Sequence, residues 1–253
     1  MTARSLLTFV SLLAAAGTPA CFAEIVYQQP PLATGAFYES ARWGENGSDY
    51  DEYVWDSFTL ASTRSITEIH WRGGYVNVAS PITQFEISIW PSIAAGSQPD
   101  IGAGPLVHYF YPGNAGQTPA GSSGGTTVYD YGVTLPVPFV ATAGVKYWVE
   151  ILAWQSGFPF WSLQAGSGGN GSHFRFSEGL AMFHIITGDT AFSLVAAPLP
   201  CPGDINNSGS VDAADLSILL GAWGSTGPAD LDGSGSVNGA DLSILLGAWG
   251  SCG

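Results

Sequence analysis

Positive charge is scarce in this chain: Lys and Arg total 6 against 20 Asp and Glu in 253 residues, for a formal net charge of −14. A polymer of that sign does not hold nucleic acid through its phosphates, which are gripped by Lys and Arg. Cysteine is almost missing, at 3 residues. Beyond the N-terminal region no apolar run reaches the roughly 20 residues that cross a bilayer as a helix, so no integral helical anchor is expected. Neither an H-E-x-x-H string nor a phosphate-cradling glycine loop occurs. Long helical periodicities are also missing over most of the chain, while Gly (34) and Pro (16) are frequent.

What is present begins with a segment that reads as an export signal. Arg4 supplies positive charge, an apolar run spans residues 6–16, and Cys21-Phe22-Ala23 offers a cleavage point after Ala23. Lipidation of Cys21 is the alternative, but the preceding Thr18-Pro19-Ala20 lacks a Leu-led lipobox. Export places the protein outside the cell, in an oxidising compartment. The two remaining cysteines, Cys201 and Cys252, are then expected to form a disulfide around the C-terminal tail.

The tail repeats itself. Asp204–Asp215 (DINNSGSVDAAD) and Asp230–Asp241 (DLDGSGSVNGAD) lie 26 residues apart, and each is followed by the same DLSILLGAWGS segment. Oxygen-bearing residues fall where an EF-hand-type loop needs them, at positions 1, 3, 5, 7, 9 and 12. These are Asp204, Asn206, Ser208, Ser210, Asp212 and Asp215 in the first copy. In the second they are Asp230, Asp232, Ser234, Ser236, Asn238 and Asp241. Gly209 and Gly235 occupy position 6, where the chain turns sharply. Ser at position 5 and Asp at position 12 depart from the usual Asp or Asn and Glu. Two Ca2+ ions are therefore expected, offsetting six aspartates in a tail without Lys or Arg and coupling binding to folding.

After each loop, Leu216, Leu219, Leu220 and Trp223, and likewise Leu242, Leu245, Leu246 and Trp249, follow helical spacing. Each stripe is expected to pack against the other. The opposite face, with Ala214, Ile218 and Ala222 in one copy and Ala240, Ile244 and Ala248 in the other, is a candidate partner-binding surface. These duplicated loop–helix units resemble the type I dockerin domain. That resemblance implies a secreted bacterial protein and a calcium-dependent, cohesin-type partner. The family's polar residues at loop positions 10 and 11 and its basic helix pair are replaced by Ala213, Ala214, Gly239, Ala240, Gly221, Ala222, Gly247 and Ala248.

Residues 24–197 suffice for one well-buried domain. Short strand-like runs separated by turn residues are predicted at 53–60, 65–71, 82–90, 106–111, 126–135, 146–154, 172–176 and 191–195. Phe85, Ile87 and Ile89 share one strand face, and Tyr147, Val149 and Ile151 share another. The expected fold is mainly β: a jelly-roll-like β-sandwich, a linker at 198–202, and a small all-α dockerin-like domain at 203–253. The sandwich segment loosely resembles β-sandwich domains of secreted bacterial and planctomycete proteins, through its DSFTL, IHW and KYW strands.

Catalytic residues are not identifiable from sequence. His70, His108, His173 and His184 are scattered, and the cluster of acids from Glu45 to Asp56 reads as a solvated loop or a structural calcium site. Trp154, Phe158, Phe160 and Trp161 are dense enough to be either core or a platform for stacking on sugars. Three readings follow. One is a secreted, non-catalytic and polysaccharide-binding module tethered by its tail; another is a polysaccharide hydrolase or lyase with the same tail; the third is a structural matrix component.

Overall fold

The computed structural model describes residues 23–33, 35–44, 50–76, 80–158, 160–197 and 201–252. The expected export signal, including Cys21, therefore lies outside the described residues apart from Ala23, and the linker is described only from Cys201. The chain divides into two compact units at residues 198 and 199.

The larger unit is built from β1 (Glu24–Gln29), β2 (Phe37–Glu39), β3 (Ala41–Trp43), β4 (Glu52–Thr59), β5 (Arg64–Tyr75), β6 (Ile82–Pro91), β7 (Val107–Pro112) and β8 (Thr118–Ser123). It continues with β9 (Thr126–Ala141), β10 (Lys146–Gln155), β11 (Trp161–Gly166), β12 (Ser172–Ser177), β13 (Met182–Thr187), β14 (Asp189–Thr190) and β15 (Phe192–Ala196). One sheet of eight strands runs β1-β15-β5-β11-β14, with β9 beside β5, β8 beside β9 and β2 beside β11. The other, of seven strands, runs β13-β12-β4-β3-β10-β6-β7. Neighbours that are distant in sequence, such as β1 with β15, make this a jelly-roll-like arrangement rather than a meander.

Alternation explains the core. Phe85, Ile87 and Ile89 on β6 and Tyr147, Val149 and Ile151 on β10 all face the same buried cluster, with Trp71, Tyr131 and Trp161 from the other sheet. Phe85 sits edge-on to Trp71, Tyr131 and Trp161 at ring distances of 5.0, 5.1 and 5.0 Å. The outward positions of β10 are buried too, because Trp148 packs with Trp55 and Phe174 in a second aromatic cluster. This strand consequently reads as a near-continuous apolar run interrupted by Glu150.

β5 would misplace its side chains if it kept strict alternation. Ile66, Glu68 and His70 would then share a face. A register break between Ile66 and Glu68 against β9 resets the pattern. Ile69 and Trp71 consequently enter the core, at 0% and 3% exposure, while Glu68, His70 and Arg72 point outward.

The tail unit holds β16 (Ser210–Val211), α1 (Ala213–Gly221), α2 (Gly239–Gly247) and β17 (Gly250–Ser251), with β16 and β17 pairing antiparallel. Asp212 and Asn238 cap the two helices, each within a complete capping box closed by Asp215 or Asp241. Its small core is Val211, Leu219, Ala229, Val237 and Leu245, flanked by Leu216, Leu242, Ala222 and Ala248. Cys201 and Cys252 are disulfide-bonded across 51 residues, with Cα atoms 5.5 Å apart.

The helical stripes differ from expectation. Leu219 and Leu245 are fully buried, but Leu220, Trp223, Leu246 and Trp249 are about half exposed (52, 51, 52 and 49%). A helix of nine residues beside a core this small buries one narrow line of side chains. Ala222 and Ala248 take part of that line, in place of the Leu-Trp edge.

Candidate metal centre

Each loop is wound around its own carboxylates. Asp204 accepts hydrogen bonds from the backbone N–H of Ser208 (2.8 Å) and Gly209 (2.8 Å), and Asn206 accepts from Ser208 (2.9 Å). Asp215 reaches back from the first turn of α1 and accepts from Asn206 N–H and Asp212 N–H, both at 3.0 Å. The second loop repeats this wiring. Asp230 accepts from Ser234 (3.0 Å) and Gly235 (2.7 Å), and Asp232 from Ser234 (2.9 Å). Asp241 accepts from Leu231 (2.7 Å), Asp232 (3.1 Å) and Asn238 (2.7 Å). Gly209 and Gly235 adopt φ of 90° and 91°, the left-handed region the turn requires.

Asp215 and Asp241 are inaccessible to solvent. For Asp241, burial pushes the carboxyl upward, yet the N–H groups of Asn238, Asp232 and Leu231 outweigh it and leave the group below its ordinary value. A buried carboxylate at the heart of each loop is a hard oxygen donor held in place before any ligand arrives.

Carboxylate oxygens of Asp230, Asp232 and Asp241 lie within 4.8 Å of one another and form a group able to hold a metal ion. A second such group joins Asp204 to Cys201 and Cys252. Its two sulfurs are tied up in the disulfide, so Asp204 is its one hard donor. With oxygen donors converging and no thiolate available, the loops suit a hard cation better than a soft one.

The remaining ligand candidates are placed differently. Asp212 and Asn238 direct their side-chain oxygens to the N–H of Ala214 (2.7 Å) and Ala240 (2.8 Å), capping the helices. Ser208 and Ser234 donate to the carbonyl oxygens of Ser210 (3.1 Å) and Ser236 (3.3 Å), the expected position-7 acceptors. The capping boxes were visible as Asp or Asn followed three residues later by Asp, a signal that ligand spacing masks.

The proposed partner face is only partly a surface. Ala214, Ala240 and Ile218 are exposed and Ile244 is half-buried, whereas Ala222 and Ala248 pack onto the tail core.

The aromatic platform does not survive as drawn. Trp161 begins β11 with 0% exposure, and its indole N–H donates to the Tyr131 hydroxyl (3.1 Å), so it is a core residue with no face open to a sugar. Trp154 stands on the other sheet, with the Arg42 guanidinium 4.3 Å over its ring and its N–H donating to Glu86 (2.8 Å). Phe158 (50% exposed) and Phe160 stack at 5.7 Å, beside Trp43 and Tyr50. The run of aromatics thus splits into a core residue, an Arg-covered residue and a stacked pair of which Phe158 is exposed and Phe160 half-buried.

Of the acids expected in a solvated loop, Glu45 and Asp49 lie outside the described residues, Asp51 immediately precedes β4, and Glu52 and Asp56 lie on it. Asp51 is buried and accepts from Trp43 N–H (2.9 Å), Glu52 binds Arg175 (2.7 Å), and buried Asp56 accepts from Thr190 N–H and hydroxyl and from Ser57 N–H. Burial raises the Asp56 carboxyl to about 7 despite those bonds. The string Gly121-Ser122-Ser123-Gly124-Gly125 fits G-x-S-x-G, but it forms the β8–β9 turn and Ser123 lies buried against Gln164. A nucleophile elbow needs a strand leading into a helix, which this turn does not provide.

Comparison with known families finds two matches. Residues 25–167 match a family described as a domain of unknown function, DUF7901. Residues 202–247 match the dockerin type I domain. No curated protein matches the chain.

Proposed function

We propose that this chain, which belongs to the DUF7901 family and carries a C-terminal dockerin type I domain, is a secreted, non-catalytic protein whose carbohydrate-binding β-sandwich is held to a cohesin-type partner by a calcium-dependent tail. The observation that carries this reading is the twin loop wiring. In each copy a solvent-inaccessible aspartate (Asp215, Asp241) and a position-1 aspartate (Asp204, Asp230) gather the loop backbone around oxygen donors.

In this role Asp204, Asn206 and Asp215 would hold one Ca2+, and Asp230, Asp232 and Asp241 the other, with Ser210 and Ser236 offering carbonyl oxygens. The ion supplies charge neutralisation. The chain's own residues supply helix placement, because Asp215 and Asp241 link loop to helix through the Asp212 and Asn238 N–H groups. The partner would then meet the exposed Ala214, Ile218 and Ala240 and the half-buried Ile244.

Calorimetric titration of the full chain with CaCl2, followed by capture on immobilised cohesins, tests the proposal. Two binding events and capture reversed by chelator are expected. Absence of calcium binding, or capture indifferent to chelator, would refute it.

A polysaccharide-cleaving enzyme is a second reading, favoured by one observation. Glu39 on β2 is raised to about 7, by burial first and then by the neighbouring Glu52, which is itself paired with Arg175. A carboxyl raised to about 7 with a second carboxyl beside it suits the general acid of glycoside cleavage. Release of reducing sugar that disappears in Glu39→Gln would establish this reading over the first.

A further inference from the structure

The outward face of the eight-stranded sheet carries a trough that neither the docking tail nor the aromatic residues explain. Two depressions, of about 210 and about 300 Å3, share His70, Asp130 and Tyr131 as common walls. Neither exceeds the lower end of the ~300–1,000 Å3 typical of compact small-molecule pockets. Side by side across β15, β5, β9 and the segment before β8, they suit an extended ligand lying along the sheet.

The trough is lined by hydrogen-bonding couples. The Arg72 guanidinium binds Asp130 in a two-point contact at 2.6 and 2.9 Å, and His70 Nε2 meets Glu68 at 2.8 Å. These four side chains remain 30–48% exposed. Each carboxylate keeps unused lone pairs, and Arg72 keeps N–H donors beyond the two it spends. The flat rings of Pro30 and Pro31 stand exposed at one end.

Gly132 indicates that the trough is shaped rather than incidental. It lies mid-strand in β9, directly opposite His70 and outside the positive-φ region, so its backbone does not require glycine. A Cβ there would come within 3.0 Å of His70 Nδ1. The missing side chain is what lets the His70 imidazole lie down across the strand. The β5 register break brings Glu68, His70 and Arg72 to this face together.

We propose that this trough binds a neutral, hydroxyl-rich glycan chain, an inference that rests on the reading of the sandwich as a carbohydrate-binding module. Vicinal hydroxyls are donors and acceptors at once, which matches paired carboxylate and guanidinium groups presented side by side. Glu68 and Asp130 outnumber the single Arg72 guanidinium in the lining, which disfavours a polyanion. The mixed polar walls disfavour a lipid.

Affinity electrophoresis of the full chain in calcium, through gels containing hydroxyethylcellulose, glucomannan or polygalacturonate, tests the site. Retardation by a neutral glycan, and none by polygalacturonate, is expected. Asp130→Asn and Glu68→Gln, both at partly exposed positions, should fold with little change in melting temperature and bind about tenfold more weakly or worse, as loss of a charged hydrogen-bond partner implies. Phe110→Ala and Phe158→Ala, away from the trough, should retain wild-type mobility shifts. Equal retardation of wild type, Asp130→Asn and Glu68→Gln, or loss confined to the Phe variants, overturns the trough while leaving the carbohydrate reading intact. A wild type that no neutral glycan retards overturns both.

Discussion

Replacing Glu150 by Gln should make the sandwich less sensitive to alkaline pH. Glu150 lies mid-strand in β10 at 3% exposure, and its Oε2 accepts from the Ser88 hydroxyl (2.6 Å) and the Trp90 indole N–H (3.1 Å). Burial raises its carboxyl from 4.5 to about 8, against those two bonds and helped by the charge of Glu86. Between these values the folded protein holds a proton that the unfolded chain has released, so stability falls as pH rises through that window. Below about 4.5 the penalty is absent, and above about 8 it is complete. The rise from 4.5 to about 8, at about 1.4 kcal/mol per pH unit, sets a ceiling of ~5 kcal/mol. Gln keeps an oxygen to accept from Ser88 and Trp90 and carries no proton to lose. Urea unfolding followed by tryptophan fluorescence, at fixed CaCl2 from pH 5 to 9, should therefore show wild type losing several kcal/mol more than Glu150→Gln. Asp56 and Glu39, raised in the same direction, act equally in both proteins and cancel in the difference. Stability curves that run parallel within about 0.5 kcal/mol, the level of an ordinary surface substitution, would refute the buried-acid argument.

Trp161→Ala should cost about 3–5 kcal/mol of stability, because a fully buried indole packed on Phe85 and Tyr131 leaves a cavity; denaturant midpoints check this. In the tail, Leu219→Ala should cost about 2–5 kcal/mol while Leu220→Ala stays within about 0.5, since the first side chain is buried and the second half exposed. Reducing the Cys201–Cys252 bond releases a 51-residue loop and should destabilise the tail by ~4 kcal/mol, read as a lower melting temperature with dithiothreitol. Asp241→Ala removes the acceptor of three backbone N–H groups, and circular dichroism should show less helix that added calcium does not restore.

Several elements were legible because their signal is local. The eight strands predicted from alternation and turn residues correspond to β4, β5, β6, β7, β9, β10, β12 and β15. The missed strands lack that signal. β11 is buried on every residue and does not alternate, β13 is apolar but exposed as the sheet's last strand, β1 sets three apolar residues together without alternation, and β8 (TPAGSS) has no large apolar side chain. β2, β3 and β14 are two or three residues long, too short for periodicity to register. Trp161 was ambiguous for the same reason: aromatic density does not say which side of a sheet a ring faces. The trough residues Glu68, His70 and Arg72 were hidden by the register break in β5, which pairing with β9 reveals.

The sequence by itself determined the repeated loops, the disulfide and the mainly β class, because each depends on spacing along the chain. A twelve-residue repeat or two leftover cysteines carry their meaning without knowledge of distant neighbours. Only the tertiary structure decided which helix side chains are buried, which aromatics are core and which polar residues meet on one face. Those outcomes depend on packing between segments far apart in the chain: Trp161 on Phe85, Gly132 beneath His70, Glu150 beneath Trp90. Burial and proton affinity follow from such neighbours, and local pattern does not encode them.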